Sequence, residues 1–294
     1  MVTYATEGTT GSIAFLGPAG TYCDEAARRF AMRMGIDDPI LLPCSSFARV
    51  FDSVDAGDTE YGVVALENSI EGPVTSTLDS FAARSKEVIL GEEIIDIHHC
   101  LLMHPNAQAN DIRAIASHPQ ALAQCRQYLA SRFANILVRP VQSTADAARL
   151  AAADPSTAAI ANERAAELAG VSIFDRGIED HGGDQTNFAL IAQTGHAPVF
   201  APEGKMKTSL ALYLHDDRPG ALQMILSEFA YGGINLTKIQ SRPTKRKLGE
   251  YMFFIDIDGS ANDEAVRIAL DCLRLKLREV KVLGCYPAAP MERG

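Results

Sequence analysis

Two spacings of apolar residues alternate along the chain. Short apolar runs at residues 12–16, 61–66 and 186–192 predict buried strands, and between them apolar positions recur every three or four residues. Tyr22, Ala26 and Phe30 share one face of a helix predicted over 21–34, which Gly35 stops. Leu122, Cys125, Leu129 and Phe133 share a face over 119–133, and 145–153 and 162–169 read as two further helices. Strands alternating with helices predict an α/β fold with mostly parallel sheets, here long enough for two lobes around a cleft.

The pattern changes near residue 200. Residues 193–206 carry two prolines, two glycines and no periodicity, which predicts a connecting segment. After it the order is strand 208–215, helix 220–231, strand 234–242, a basic turn at 244–247, strand 251–257, helix 263–277 and strand 280–285. That is βαββαβ, a small split-βαβ sandwich. Asp217 is placed to cap its first helix, with Pro219 near the first helical position. The expected organisation is a two-lobed domain over 11–195, a linker over 196–206 and a second domain over 207–286.

Of the 294 residues 47% are hydrophobic and 22% charged, ordinary globular proportions that exclude a disordered or fibrous chain. No apolar run approaches the roughly 20 residues of a membrane span. The first residues, MVTYATEGTT, have neither the basic nor the apolar region of a leader. Six cysteines are scattered without a CxxC pair, so reduced thiols in a cytoplasmic protein are expected. Charge is uneven: residues 203–294 hold 14 basic and 12 acidic groups, whereas residues 1–202 hold 13 and 25, with Lys86 as the single lysine. That balance argues against a nucleic-acid footprint. An anionic substrate must then be held by a few arginines, hydroxyls and backbone amides.

Several polar clusters repeat one design, a strand end, a Ser/Thr/Gly-rich turn and a helix start. They are Gly17-Pro18-Ala19-Gly20-Thr21, Glu67-Asn68-Ser69-Ile70-Glu71-Gly72-Pro73, Ser117-His118-Pro119-Gln120 and Gln142-Ser143-Thr144-Ala145-Asp146. Helix starts offer unpaired N–H groups and the positive end of the dipole to carboxylates or phosphates. Taken singly, Thr21, Ser117 and Thr144 fit plain N-caps. The GPAGT turn lacks the lysine and glycine spacing of a nucleotide loop. His98 and His99, with Cys100 and His104 nearby, are expected in a strand, where adjacent ligands point to opposite faces, so no metal site is predicted. Residues 175–188 form a polar, glycine-bearing loop that leaves Thr186 at the mouth of a strand.

In order and spacing these motifs resemble those of a prephenate dehydratase with a C-terminal ACT regulatory domain, from Ile13 to about Tyr286. FLGPAGTYCDEAA (15–27), ALENSIEGPV (65–74), SHPQALAQC (117–125) and STADAA (143–148) are similar to the catalytic motifs, and PGALQMIL (219–226) and NLTKIQSRP (235–243) to the GAL and ESRP motifs. The resemblance implies a two-lobed α/β body of the type 2 periplasmic-binding-protein kind plus an ACT domain. It implies conversion of prephenate to phenylpyruvate, water and carbon dioxide in phenylalanine biosynthesis, with no cofactor. It assigns Thr186 as donor to the departing hydroxyl. Asn68, Ser117 and Gln124 orient the ring and its carboxylate, and Glu67 is a further catalytic position. Thr21, Ser69, Ser143, Thr144 and Phe188 are assigned to the substrate. Phenylalanine is expected at Gly220, Ala221, Leu222, Asn235, Ser241, Arg242 and Pro243, between subunits of a homodimer or homotetramer. Two positions depart from the pattern: Asn187 replaces the arginine of Thr-Arg-Phe, with Arg176 as a candidate to fill its space, and Gln240 replaces the glutamate of ESRP. Asn187 raises the alternative of a phenylalanine sensor with an impaired cleft. Arogenate, which has an amino instead of a keto side chain, is an alternative substrate that no single residue decides. A two-lobed solute receptor is disfavoured by the fused second domain.

Overall fold

The first apolar run forms β1 (Ser12–Leu16), and the helix that follows it is α1 (Tyr22–Arg33), capped by Thr21. The structure is a computed structural model that describes residues 11–84, 86–201, 204–216, 218–244 and 250–289. The first lobe continues with β2 (Ile40–Cys44), α2 (Phe47–Ala56), β3 (Tyr61–Asn68), the short β4 (Gly72–Pro73), α3 (Thr75–Ala83) and β5 (Glu87–Asp96). The chain crosses to a second lobe of β6 (Cys100–Met103), β7 (Ala114–Ser117), α4 (Pro119–Gln124), α5 (Arg126–Arg132), β8 (Leu137–Pro140), α6 (Thr144–Ala153), β9 (Thr157–Ala161), α7 (Glu163–Ala169) and β10 (Ser172–Arg176). It returns to the first lobe as β11 (Gln185–Gln193). The last part is β12 (Met206–Tyr213), α8 (Ala221–Tyr231), β13 (Leu236–Pro243), β14 (Tyr251–Asp258), α9 (Glu264–Lys276) and β15 (Glu279–Pro287).

The sheets are mixed, which corrects the expectation of mostly parallel ones. β1 is parallel to β2 and β3, but the returning β11 inserts between β3 and β5 antiparallel to both. In the second lobe, ordered β10-β6-β9-β7-β8, β7 is parallel to its neighbours whereas β6 is antiparallel to β9 and β10. The long-range return of β11 causes this in the first lobe and the entering strand β6 in the second, and no local pattern announces either.

Three other expectations change. The helix predicted over 119–133 breaks at Cys125 (φ −113°, ψ 22°). The Asp180 carboxylate accepts from Gln127 N at 2.9 Å and Asp180 N donates to Gln124 O at 2.6 Å, so a loop residue starts α5 anew. His98 and His99 lie in the irregular crossing between β5 and β6, not in a strand. α8 (Ala221–Tyr231) has Gly220, in the left-handed region (φ 85°), as its cap residue, so Pro219 precedes the helix instead of opening it. Asp217 and residues 245–247 of the basic turn fall outside the described residues.

β3 is buried on both faces. Val63 and Ala65 pack with α1 residues such as Ala26 and Phe30, while Val64 and Leu66 pack with Val50, Phe51, Leu78 and Phe81 from α2 and α3. The last four long strands form one sheet with the first lobe, in the order β13-β14-β12-β15-β5-β11-β3-β1-β2. The join is a single parallel pair, Gly284 to Ile89, where a Cβ on Gly284 would lie 2.3 Å from the Ile89 carbonyl oxygen, so glycine permits the approach. Leu210, Leu212, Phe253 and Ile255 face α8 and α9, while Ala211, Tyr213, Met252 and Phe254 face α2 and α3. The second domain thus seats one whole sheet face on the first lobe.

Candidate active site

A cavity of about 260 Å³ opens between the lobes where β3 ends, β11 begins and helices α1, α4 and α6 start. Its described lining, which includes Thr21, Tyr22, Cys23, Asn68, His99, Gln124, Ser143, Thr144, Asp184 and Thr186, contains no lysine or arginine. An adjoining cavity of about 370 Å³ shares His99, Gln124 and Asp184 with it. A larger space of about 530 Å³ behind Tyr22 is lined by groups already paired, such as Arg29 with Glu93 and Glu163 with Arg176, and the hydroxyl and amide cluster is not there.

A bulge creates the cluster. β11 pairs Thr186 with Asn68 and Asn187 with Glu67, but Phe188 with Ala65, so one extra residue of β3 sits in the ladder. The bulge resets the in-out alternation of β3. Asn68 therefore joins Thr186 on the α1 side, and Glu67 turns to the opposite face. There Glu67 meets Lys238 of β13 at 2.7 Å. Its expected place in the cleft is thereby corrected.

The orientation of the Asn68 amide follows from its partners. Its Oδ1 accepts from Ile70 N (3.1 Å) and Glu71 N (2.9 Å), so Nδ2 must face Asp184 Oδ1 (2.7 Å) and Thr186 Oγ1 (3.0 Å). Thr186 Oγ1 thus receives a hydrogen bond, which leaves its own hydrogen to be donated. Asp184, 4% exposed, also accepts from Ser69 Oγ (3.1 Å) and Gln124 Nε2 (3.1 Å). With Gln124 Nε2 committed to a carboxylate, its Oε1 accepts from His99 Nε2 at 2.7 Å, which places the ring proton on Nε2. Glu179 braces this end, accepting from His98 Nδ1 (2.8 Å) and His99 N (2.9 Å). Burial raises the Glu179 pKa, but these two bonds outweigh it and hold the carboxyl below its ordinary value.

Thr21 and Ser143 act as caps. Thr21 Oγ1 accepts from Asp24 N at 3.4 Å and Ser143 Oγ from Asp146 N at 3.0 Å, and both border the cavity. The first turns of α1 and α6 therefore present backbone N–H groups and positive dipole ends to it. Asp24, fully buried, holds the preceding turn through Gly20 N (2.8 Å). Tyr22 spans the crossing: its hydroxyl donates to His98 O (2.5 Å) and accepts from His98 N (2.7 Å), and burial pushes its pKa up. The Cys23 thiol is pushed up to about 12, by burial first and Asp24 second.

Several expected positions are not in the cavity wall. Ser117 is fully buried, and its Oγ donates to Ile160 O at 2.6 Å, which ties β7 to β9. Phe188 is 1% exposed and packs beneath Thr186 in the α1-side core. Ser69 reaches the cluster only through Asp184 and Gln185 N. Arg176 pairs with Glu163 at 2.8 Å and does not fill the space of residue 187. Asn187 itself points away from the cleft, to Glu92 Oε2 at 3.1 Å. Asp184 and His99 were missed; the signal for Asp184 was its position two residues before Thr186, at the end of the polar loop that leads into β11.

In the second domain Gly220, Ala221 and Leu222 start α8, and Ser241 and Pro243 are exposed near the same end of the sheet. Arg242 faces the other way, to Asp79 of α3 at 2.7 Å. Asn235 bonds Asp258 Oδ2 at 2.8 Å, near the far end of the sheet, because β13 pairs Leu236 with Ile257 but Arg242 with Met252. Five residues of strand separate the two ends, about 16 Å. One chain therefore does not gather all seven expected phenylalanine positions.

Two family patterns match the sequence: prephenate dehydratase over residues 13–196 and ACT domain over 208–270. A prephenate dehydratase of Mycobacterium tuberculosis is 37% identical over 283 residues, 95% of this chain and 87% of that protein. The solved prephenate dehydratase of Arthrobacter aurescens in complex with L-Phe superposes with a TM-score of 0.83 at 34% identity, covering 94% of this chain and 90% of that one. A structure described as GqqA, a novel type of quorum quenching acylase, superposes with a TM-score of 0.82 at 30% identity, covering 96% and 100%.

Proposed function

The chain belongs to the prephenate dehydratase family, and we propose that Thr186 donates the hydrogen bond that drives its reaction, the conversion of prephenate to phenylpyruvate, water and carbon dioxide. The bond from the ring to its carboxylate breaks as carbon dioxide leaves. The released electron pair aromatises the ring and expels the hydroxyl from the opposite carbon as hydroxide, which takes a proton from solvent to become water. Negative charge thus migrates from the carboxylate to the departing oxygen, and a donor aimed at that oxygen stabilises the transition state more than the substrate. A threonine is a weak acid, so its contribution is partial neutralisation of that charge. The single observation that carries this reading is the Asn68 amide, whose donation to Thr186 Oγ1 commits the threonine hydrogen to the cavity.

Asp184 and Gln124 hold the amides in place, and the first-turn amides of α1 and α6, beside Thr21, Ser143 and Thr144, take the pyruvyl carboxylate. An acyl-transfer reading, which the GqqA likeness brings up, needs a hydroxyl or thiol beside a base. Here the Thr186 oxygen meets an amide, and burial keeps the Cys23 thiol protonated. The sensor alternative loses its basis, because Asn187 lies outside the cleft. Arogenate is the competing substrate; its product is phenylalanine, so its turnover is read by amino-acid analysis beside the prephenate assay.

Phenylalanine binds, in this reading, at Gly220–Leu222 and Ser241 between subunits of a homodimer or homotetramer and lowers activity. The L-Phe complex of the Arthrobacter relative supports it. Among the described residues no helix is long and apolar enough to cross a membrane, and the reaction is assigned to the cytoplasm. The test is prephenate turnover at neutral pH, followed by phenylpyruvate absorbance in alkali. Thr186→Ala is expected to lose at least a hundredfold in kcat; a variant with wild-type kcat overturns the assignment.

A further inference from the structure

The back of the catalytic strand pair holds a second polar cluster that the reaction does not use. Glu92 of β5, its side chain 2% exposed, accepts from Lys207 Nζ at 2.7 and 2.8 Å, from Ala289 N at 2.8 Å and from Asn187 Nδ2 at 3.1 Å. Lys207 stands at the start of β12 and Ala289 just beyond β15, so one carboxylate grips both ends of the second domain. Asn187 and Glu67 are register partners directly behind Thr186 and Asn68, and Glu67 takes Lys238 from β13. Both lysines come from the second domain and hold carboxylates of the first, while Asp256 of β14, register partner of Ser209 and Lys238, adds a second-domain carboxylate near both lysines and Glu92.

Asn187 satisfies only half of its amide. Its Nδ2 reaches Glu92, while its buried Oδ1 has no hydrogen-bond partner. A side chain with donors only, and a charge, would suit this position better, yet the charge opposite Glu92 is Lys207. From this geometry we infer that Lys207 is a positioning residue for catalysis: through Glu92 and Asn187 it fixes β11 at Thr186, so the second domain completes the cleft even without a regulatory ligand. The inference rests on Thr186 as donor. A shifted Thr186 weakens the bond to the departing oxygen, which lowers kcat, while the helix N-termini that hold the pyruvyl carboxylate leave KM in place.

The test is steady-state kinetics of the full-length protein, with Thr186→Ala assayed beside it. Lys207→Met is expected to lower kcat at least fivefold with KM within twofold, Lys207→Arg to keep most of kcat, and Asn187→Arg added to Lys207→Met to recover at least half of the loss, since the guanidinium then sits at Glu92. Glu92→Gln, which leaves no unpaired carboxylate at position 92 and keeps Asp256 near Lys207, folds if Lys207→Met does not and is expected to lower kcat several-fold in the same way. A folded Lys207→Met or Glu92→Gln with wild-type kcat and only a lower melting temperature overturns the inference, as does a double variant no better than Lys207→Met. If Thr186→Ala itself keeps full turnover, the donor assignment fails first, and that result is read independently of the lysine.

Discussion

Replacing Asn68 by aspartate tests the donor argument at its most exposed step, because the two side chains have the same shape. The backbone donors Ile70 N and Glu71 N at 3.1 and 2.9 Å still hold one oxygen. The other oxygen then stands where Nδ2 was, 2.7 Å from Asp184 Oδ1 and 3.0 Å from Thr186 Oγ1. Two like charges at that separation repel by about 6 kcal/mol at an effective dielectric of about 20. With one pKa unit worth about 1.4 kcal/mol, the pair keeps one proton between them at neutral pH. The fold survives, with a carboxyl–carboxylate bond in place of the amide bond. Thr186, however, now faces an acceptor and must turn its hydrogen toward it. The donor to the departing oxygen is lost, and removal of one such donor costs about 10²- to 10³-fold in kcat, about 2.7–4 kcal/mol. Asn68→Ala is the control: it deprives Asp184 of one charge-assisted bond, about 1.5–3 kcal/mol of stability, but leaves the Thr186 hydrogen free, so its kcat falls less. The assay is phenylpyruvate formation under saturating prephenate, with folding checked by thermal melting. An Asn68→Asp kcat within fivefold of wild type, or an Asn68→Ala kcat below that of Asn68→Asp, refutes the reasoning.

Three other outcomes follow from the same geometry. Ser117→Ala removes the bond to Ile160 O and is expected to lower stability by about 1–3 kcal/mol in urea unfolding while kcat stays within twofold; a tenfold loss of kcat at unchanged stability would restore Ser117 to the cleft. Glu179 has its pKa held below the ordinary 4.5, so its bonds to His98 and His99 contribute stability that is present above the unfolded pKa and lost as pH falls through the folded one. The stability gap between wild type and Glu179→Gln should therefore be widest above about pH 5 and close in acid; a gap that widens in acid contradicts it. Gly220→Val puts a branched side chain at φ 85°, a strain of about 1–2 kcal/mol, although its Cβ meets open space. Phenylalanine titrated into the assay should then inhibit wild type and not the variant, and equal inhibition of both removes Gly220 from the regulatory site.

The legible parts of the site were the local ones. Thr21 heads α1 as expected because a cap is decided within four residues, whereas α6 is capped by Ser143 instead of Thr144 and α4 by His118 instead of Ser117, each one residue away; Thr186 opens β11 because a polar loop meets an apolar run. What the sequence hid depends on register. Glu67 reads as a cleft residue only if β3 alternates without interruption, and the bulge opposite Asn187 and Phe188 reverses it. Ser241 and Arg242 were grouped although neighbours on a strand point to opposite faces, and the structure sends Arg242 to Asp79. The break at Cys125 was not predictable from its own helix, since the carboxylate that starts α5 comes from Asp180, 55 positions further on by sequence number. Ser117 was misplaced for a subtler reason: its backbone is where the motif implies, but its hydroxyl turns to Ile160.

The distribution of charge follows from the reaction. In prephenate the ring carboxylate is anionic at the start and leaves as a neutral molecule, so a lysine or arginine held against it would stabilise the substrate and oppose the step. The described cavity wall accordingly offers hydroxyls, amides and helix N-termini, which bind a carboxylate without a full charge. The cations Lys207, Lys238 and Arg242 stand instead behind the strands, each paired with a carboxylate of the first lobe. There Lys207 and Lys238 pair with Glu92 and Glu67 behind Thr186 and Asn68, and Arg242 with Asp79 of α3, away from the substrate. Moving one of these charges through the sheet, from the back face to the front, would tighten prephenate binding and slow its conversion.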